Sequence, residues 1–122
     1  DAKATSPQAR QHTRQKVAFM KRFISNYILF DSTQHTNSVL CVDNGIISMQ
    51  PFEVETAATL YVEGAIVVVP VQAVDEVSSA LTASATLSDA LQSMLPLTAL
   101  PHPDSPKSLL QITFSPKIVR HL

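Results

Sequence analysis

The stretch Val17-Ala18-Phe19-Met20-Lys21-Arg22-Phe23-Ile24-Ser25-Asn26-Tyr27-Ile28-Leu29-Phe30 decides what kind of fold this chain of 122 residues builds. Val17, Met20, Phe23, Ile24, Tyr27 and Ile28 recur at steps of three and four, the spacing that lines one face of an α-helix. Arg14, Lys21, Arg22, Ser25 and Asn26 fill much of the other side, and Phe19 and Phe30 widen the apolar stripe. Pro7 suits a first helical turn. The periodicity predicts a long N-terminal helix over about 7–30, with residues 1–8 a polar, frayed lead-in. The alternative is that Ile24 to Phe30, rich in β-favouring residues, is extended.

Working outward, Asp31 to Asn37 is a polar loop. Ser38 to Met49 then holds two apolar runs on either side of Asn44-Gly45, a pair that supplies the left-handed positions of a tight hairpin turn. Only two glycines exist in the chain, and one stands here. From Phe52 to Glu63 the pattern has period two. Phe52, Val54, Thr56, Ala58, Leu60 and Val62 fall on one face, and Glu53, Glu55, Ala57, Thr59, Tyr61 and Glu63 on the other. Glu63-Gly64 is a turn. Ala65 to Val69 is unbroken and mostly β-branched, which predicts a strand covered on both sides. Pro70 argues that its far end is an edge or leaves the ladder.

Residues 73–95 return to helical spacing through Val74, Val77, Leu81, Leu87, Leu91, Met94 and Leu95. Thr86-Leu87-Ser88-Asp89 resembles a capping box, so the run divides near Ser84 into two short helices. Pro96, Pro101, Pro103 and Pro106 mark an extended connector. Leu109 to Phe114 is a last strand, broken by Pro116, with Ile118 and Val119 continuing after the break. The expected architecture is a single α+β domain over residues 1–122. Its long N-terminal helix packs on a four- to five-stranded antiparallel sheet, and a second helical segment precedes a C-terminal strand.

Charge is unevenly placed. The first 22 residues carry Lys3, Arg10, Arg14, Lys16, Lys21 and Arg22 against Asp1 alone, a net +5. Between Phe23 and Pro106 there is no Lys or Arg, and nine carboxylates give −9; the tail regains +3, which leaves the chain at −1. Arg10, Arg14, Lys16, Lys21 and Arg22 are therefore the candidate partner-binding residues. They either screen the acidic body or meet an anionic partner such as nucleic acid, a membrane surface or an acidic protein.

Motifs for chemistry are sparse. Two glycines cannot build a glycine-rich phosphate loop. Cys41 is the only cysteine, which removes intrachain disulfides and multi-cysteine metal sites and mildly favours a reducing compartment. His12, His35, His102 and His121 form no metal-ligand spacing. Glu53 and Glu55 share a strand face with Ala57 and Thr59, which suits solvation better than acid–base work. Asp1 in place of an initiator Met suggests that sequence precedes it. No catalytic residue, metal or small-molecule cofactor is implied. The expected function is non-enzymatic: a protein–protein interaction or assembly module of a larger complex, with the stretch from Ile66 to Val71 offering an edge to a partner strand or to a second copy. The alternative is a nucleic-acid-binding module, small-barrel-like, using the basic N-terminal segment. A small enzyme using loop residues such as Asp31 and His35 is the third class.

Overall fold

The computed structural model describes residues 20–51 and 59–122. Its strands are β1 (Met20–Ile24), β2 (Tyr27–Phe30), β3 (Thr33–His35), β4 (Ser38–Asp43), β5 (Ile46–Pro51), β6 (Thr59–Tyr61), β7 (Ala65–Pro70), β8 (Lys107–Phe114) and β9 (Lys117–His121). Two helices, α1 (Val74–Ala83) and α2 (Leu87–Met94), lie between β7 and β8. A four-stranded sheet runs β5-β4-β1-β6 and a five-stranded sheet runs β3-β2-β7-β8-β9.

The expected long N-terminal helix is overturned where it can be seen. Residues 20–24 and 27–30 are strands, the helices are internal, and residues 7–19 lie outside the described residues. The reason is burial on two sides. Ile28 and Leu29 are both fully buried, Ile28 against the four-stranded sheet and Leu29 against the helices. A strand covered on both faces loses its alternation and resembles a helical stripe. The single antiparallel sheet is overturned too. The described strands form two sheets, each mixed, because β1 pairs parallel with β6 and β2 parallel with β7. Among the described residues both strand orders are open and do not close into the small barrel.

The described residues form three layers. Val67, Val69, Leu29, Leu110 and Ile112 face Val77, Leu81, Ala90, Leu91 and Met94 of the helices. Phe23, Leu40 and Val62 face Ile28, Ile66 and Val68 between the two sheets. β7 is the centre of both interfaces, and all six of its residues are buried. It lies between β8 and β2, which pairs as far as Val67, so of the stretch expected to offer an edge Ile66 and Val67 are flanked on both sides. Pro70 sits at its last position, beyond the end of the β2 pairing at Val67, where no donor is required of it.

Three connections carry the chain from one sheet to the other: Ser25-Asn26, Thr36-Asn37 and residues 62–64. The strand directions put all three at the same end. β1, β3 and β6 run toward that end, and β2, β4 and β7 run away from it. The two adjacent bends are tied together. Ser25 Oγ lies 2.8 Å from Val62 O and 3.1 Å from Gly64 O, and Val62 N donates to Ile24 O at 2.8 Å. The two sheets thus share a closed spine and open at the opposite end. There the β2–β3 turn, the β4–β5 turn and the starts of β1 and β8 are gathered. Among the described residues no helix is long and apolar enough to cross a membrane.

Candidate functional site

The open end is a cleft, and each of its walls follows from a local sequence choice. Asn44 (φ 57°) and Gly45 (φ 85°) turn β4 into β5, which pair from Asp43–Ile46 back to Ser38–Pro51. Asp31 (φ 51°) and Ser32 (φ 65°) make a second two-residue turn that pairs Phe30 with Thr33. That turn is held from outside. Ser32 N donates to Thr98 Oγ1 at 2.8 Å, and the same buried hydroxyl donates to Leu95 O at 2.7 Å. Asp31 Oδ1 accepts from Leu100 N at 3.4 Å. The proline-rich connector is thereby fastened beside the turns, and it forms the far wall.

Between these walls lies a cavity of about 660 Å³, lined by Phe30, Ile46, Ile47 and Leu100 with Asp31, Asp104 and Lys107 among its charged residues. That volume falls within the range of ligand sites. A second opening of about 290 Å³ also includes Lys107, with Lys21, Phe23, Val42, Leu109, His121 and Leu122. Ile46 stands at the hairpin tip with 72% of its surface exposed.

The candidate partner-binding residues separate. Arg10, Arg14 and Lys16 lie outside the described residues, as do Glu53 and Glu55. Lys21 and Arg22 are successive residues of β1 and so point to opposite faces. Lys21 stands opposite Val42 on the inter-sheet side, at the mouth. Arg22 stands opposite Cys41 and Thr59 on the face turned away from the five-stranded sheet, where its Nη2 donates to Gln50 Oε1 at 3.2 Å. Its Nε is buried without a hydrogen-bond partner, and so is Asp43 Oδ1. Lys21 and Arg22 cannot form one patch.

Cys41 is buried in β4. His35 lies in β3 opposite Ile28, Asp31 Oδ1 accepts from Leu100 N, and His102 and His121 are exposed. Among the described residues no group of three or more His, Cys, Asp and Glu is placed to hold a metal ion.

A second feature is the edge strand β6. Leu60 was expected on a buried face, yet it is 60% exposed, and Tyr61 beside it is 61% exposed. The other edges among the described residues are blunted. β9 carries Lys117, Arg120 and His121, β3 exposes the polar Thr33 and Gln34, and β5 ends in Pro51. The sequence did not single out Lys107, Leu60 or Ile46. Lys107 is 86 positions from Lys21, and only the strand register brings them to one end. No family model, curated protein or solved structure matches this chain.

Proposed function

We propose that the chain is a non-enzymatic protein–protein interaction module that assembles with a second copy of itself by adding strand to strand at β6. The observation that carries the reading is the exposure of Leu60 and Tyr61, about three-fifths each, on the one edge strand that lacks a blunting residue among the described residues. The geometry suits self-pairing. Leu60 is the central residue of β6, so an antiparallel pair across a two-fold axis sets Leu60 opposite Leu60 of the second copy.

Magnitude sets the strength to expect. Covering the exposed parts of two leucines and two tyrosines contributes roughly 4–8 kcal/mol. Association costs at least about 4 kcal/mol in lost rigid-body freedom. The contact is therefore weak, and it forms at high protein concentration. Sedimentation velocity across a concentration series is expected to show a dimer that the Leu60→Asp, Tyr61→Asp double variant loses, with both proteins equally folded by circular dichroism. A wild-type chain that stays monomeric at the top of the series, or a double variant that dimerises as well as wild type, overturns the reading.

A further inference from the structure

The face of the four-stranded sheet turned away from the five-stranded sheet is buried as an interior is. Leu40 and Val42 of β4 point into the inter-sheet core, so Val39, Cys41 and Asp43 point the other way. Val39 is 6% exposed and Cys41 3%, yet neither belongs to either core cluster. Among the described residues no element lies on this face, since both helices pack on the five-stranded sheet. The Arg22 side chain crosses β4 to reach Gln50 on β5 and supplies part of the cover. An arginine laid on an open sheet keeps its charged head in water. Arg22 Nε is instead buried without a hydrogen-bond partner, and so is Asp43 Oδ1 at the open end of the same face. The described residues do not account for this burial.

Two stretches outside the described residues attach to this sheet. Residues 52–58 join Pro51, which stands opposite Ser38, to Thr59, which stands opposite Arg22. The direct line between those ends passes β4 near Val39. Asp43 lies about 13 Å from Val39 toward the open end. Its neighbour there is Met20, where residues 1–19 enter β1. Charge separates the two stretches as well. Residues 52–58 carry Glu53 and Glu55 and no cation, whereas residues 1–19 carry Lys3, Arg10, Arg14 and Lys16 against Asp1 alone. A buried carboxylate oxygen without a donor is costly, so the cationic stretch is the one that suits Asp43.

We propose that residues 1–19 dock on this face of their own chain, over Cys41 and Asp43, with the Lys16 or Arg14 cation on the Asp43 carboxylate. Lys16 is four positions ahead of Met20 and Arg14 six, which is enough chain to turn back over the strand ends. Val17 and Phe19 bring apolar surface to the same place. Docking occupies the cations that the charge pattern sets apart. An anionic partner meets them only by displacing the segment from the sheet, which makes the contact autoinhibitory. The proposal goes beyond assembly through β6 and stands without it, because β6 pairs on the other side of β1 from β4.

A spin label on the full chain tests the docking. Ala9→Cys carries the label in a Cys41→Ser background, and two-dimensional NMR reads the broadening of each amide. The expected result is strong broadening at positions 39, 41 and 43 and little at α1 and α2, which form the far layer. Asp43→Lys is expected to reduce the broadening by about threefold or more, and added salt to reduce it progressively. The salt series on the chain with Asp43 intact gives an independent reading should the Asp43 variant fold poorly. A mixture of spin-labelled chain with isotope-labelled chain that bears no spin label is expected to show no broadening. Broadening in that mixture assigns the contact to a second copy and overturns the proposal. Broadening spread evenly over the molecule, or unmoved by both salt and Asp43→Lys, overturns it as well. So does the absence of broadening at the three positions, and a wild-type Cys41 thiol that then stays unreactive to maleimide assigns the cover to the β5–β6 connection.

Discussion

At the scale of single residues, the two glycines share a left-handed φ and do different work. Gly45 (φ 85°) has nothing within 4 Å of where a Cβ would stand, so replacing it costs only the left-handed conformation. Gly64 (φ 86°) has nearly the same φ, but its Cβ would overlap the Ile112 carbonyl of β8. Gly45→Ala is expected to cost about 1–2 kcal/mol. Gly64→Ala is expected to cost more than about 3 kcal/mol, because a backbone atom cannot swing aside as a flexible side chain would. Thermal unfolding checks both: the Gly45 variant melts a few degrees lower, and the Gly64 variant loses most of its cooperative transition. Equal shifts would show that the contact with Ile112 does not govern the bend. In the sequence both glycines read as turns, and nothing there separates a free turn from one pressed against another strand.

At the scale of elements, the α1–α2 break is set by hydrogen bonds at both of its ends. Thr86 Oγ1 accepts from Asp89 N at 3.1 Å and begins α2, with Asp89 in the first turn beside the helix's positive end. Lys117 Nζ donates to Thr82 O at 3.2 Å and to Ser84 O at 2.7 Å, which ties the end of α1 to β9, and its ammonium lies 4.9 Å from the Phe114 ring centre. Thr86→Ala is expected to destabilise by about 1 kcal/mol and Thr86→Asp to restore the cap. Chemical denaturation reads both, and an Asp variant no better than Ala would sink the capping account. The threonine and the aspartate three positions on were legible in the sequence, because the cap is local. The β2–β3 turn was not. Asp31-Ser32 carries no glycine, and its left-handed backbone is held by Thr98, 66 positions away. Likewise β1 and β2 were hidden inside a helical period, because β2 is covered on both faces and the break at Ser25-Asn26 looks like a polar helix face.

At the scale of the whole molecule, β7 joins the layers. It is buried from Ala65 to Pro70, packs on the helices with Val67 and Val69, and packs on the four-stranded sheet with Ile66 and Val68. Opening β7 requires breaking both interfaces, so its amides are expected to exchange at the rate of global unfolding. The amides of β3, a three-residue edge with Thr33 and Gln34 exposed, are expected to exchange fastest of the strands. Native-state hydrogen exchange measures this ranking, and a β7 that exchanges before β8 would contradict the layer order. The unbroken run from Ala65 to Val69 disclosed that such a strand exists. It did not disclose which strands flank it, since parallel partners such as β2 leave no local trace. The tied bends at Ser25 and Gly64 have a mechanical meaning for the same molecule. They act as a fulcrum, with β1 and β2 as arms of about 13 Å reaching to the lysine end. A rotation of about 5° at the fulcrum moves the tips by about 1 Å. Where the tips of β1 and β2 stand relative to each other is thus set at the opposite end of the protein, by a serine hydroxyl and a glycine with no room for a side chain.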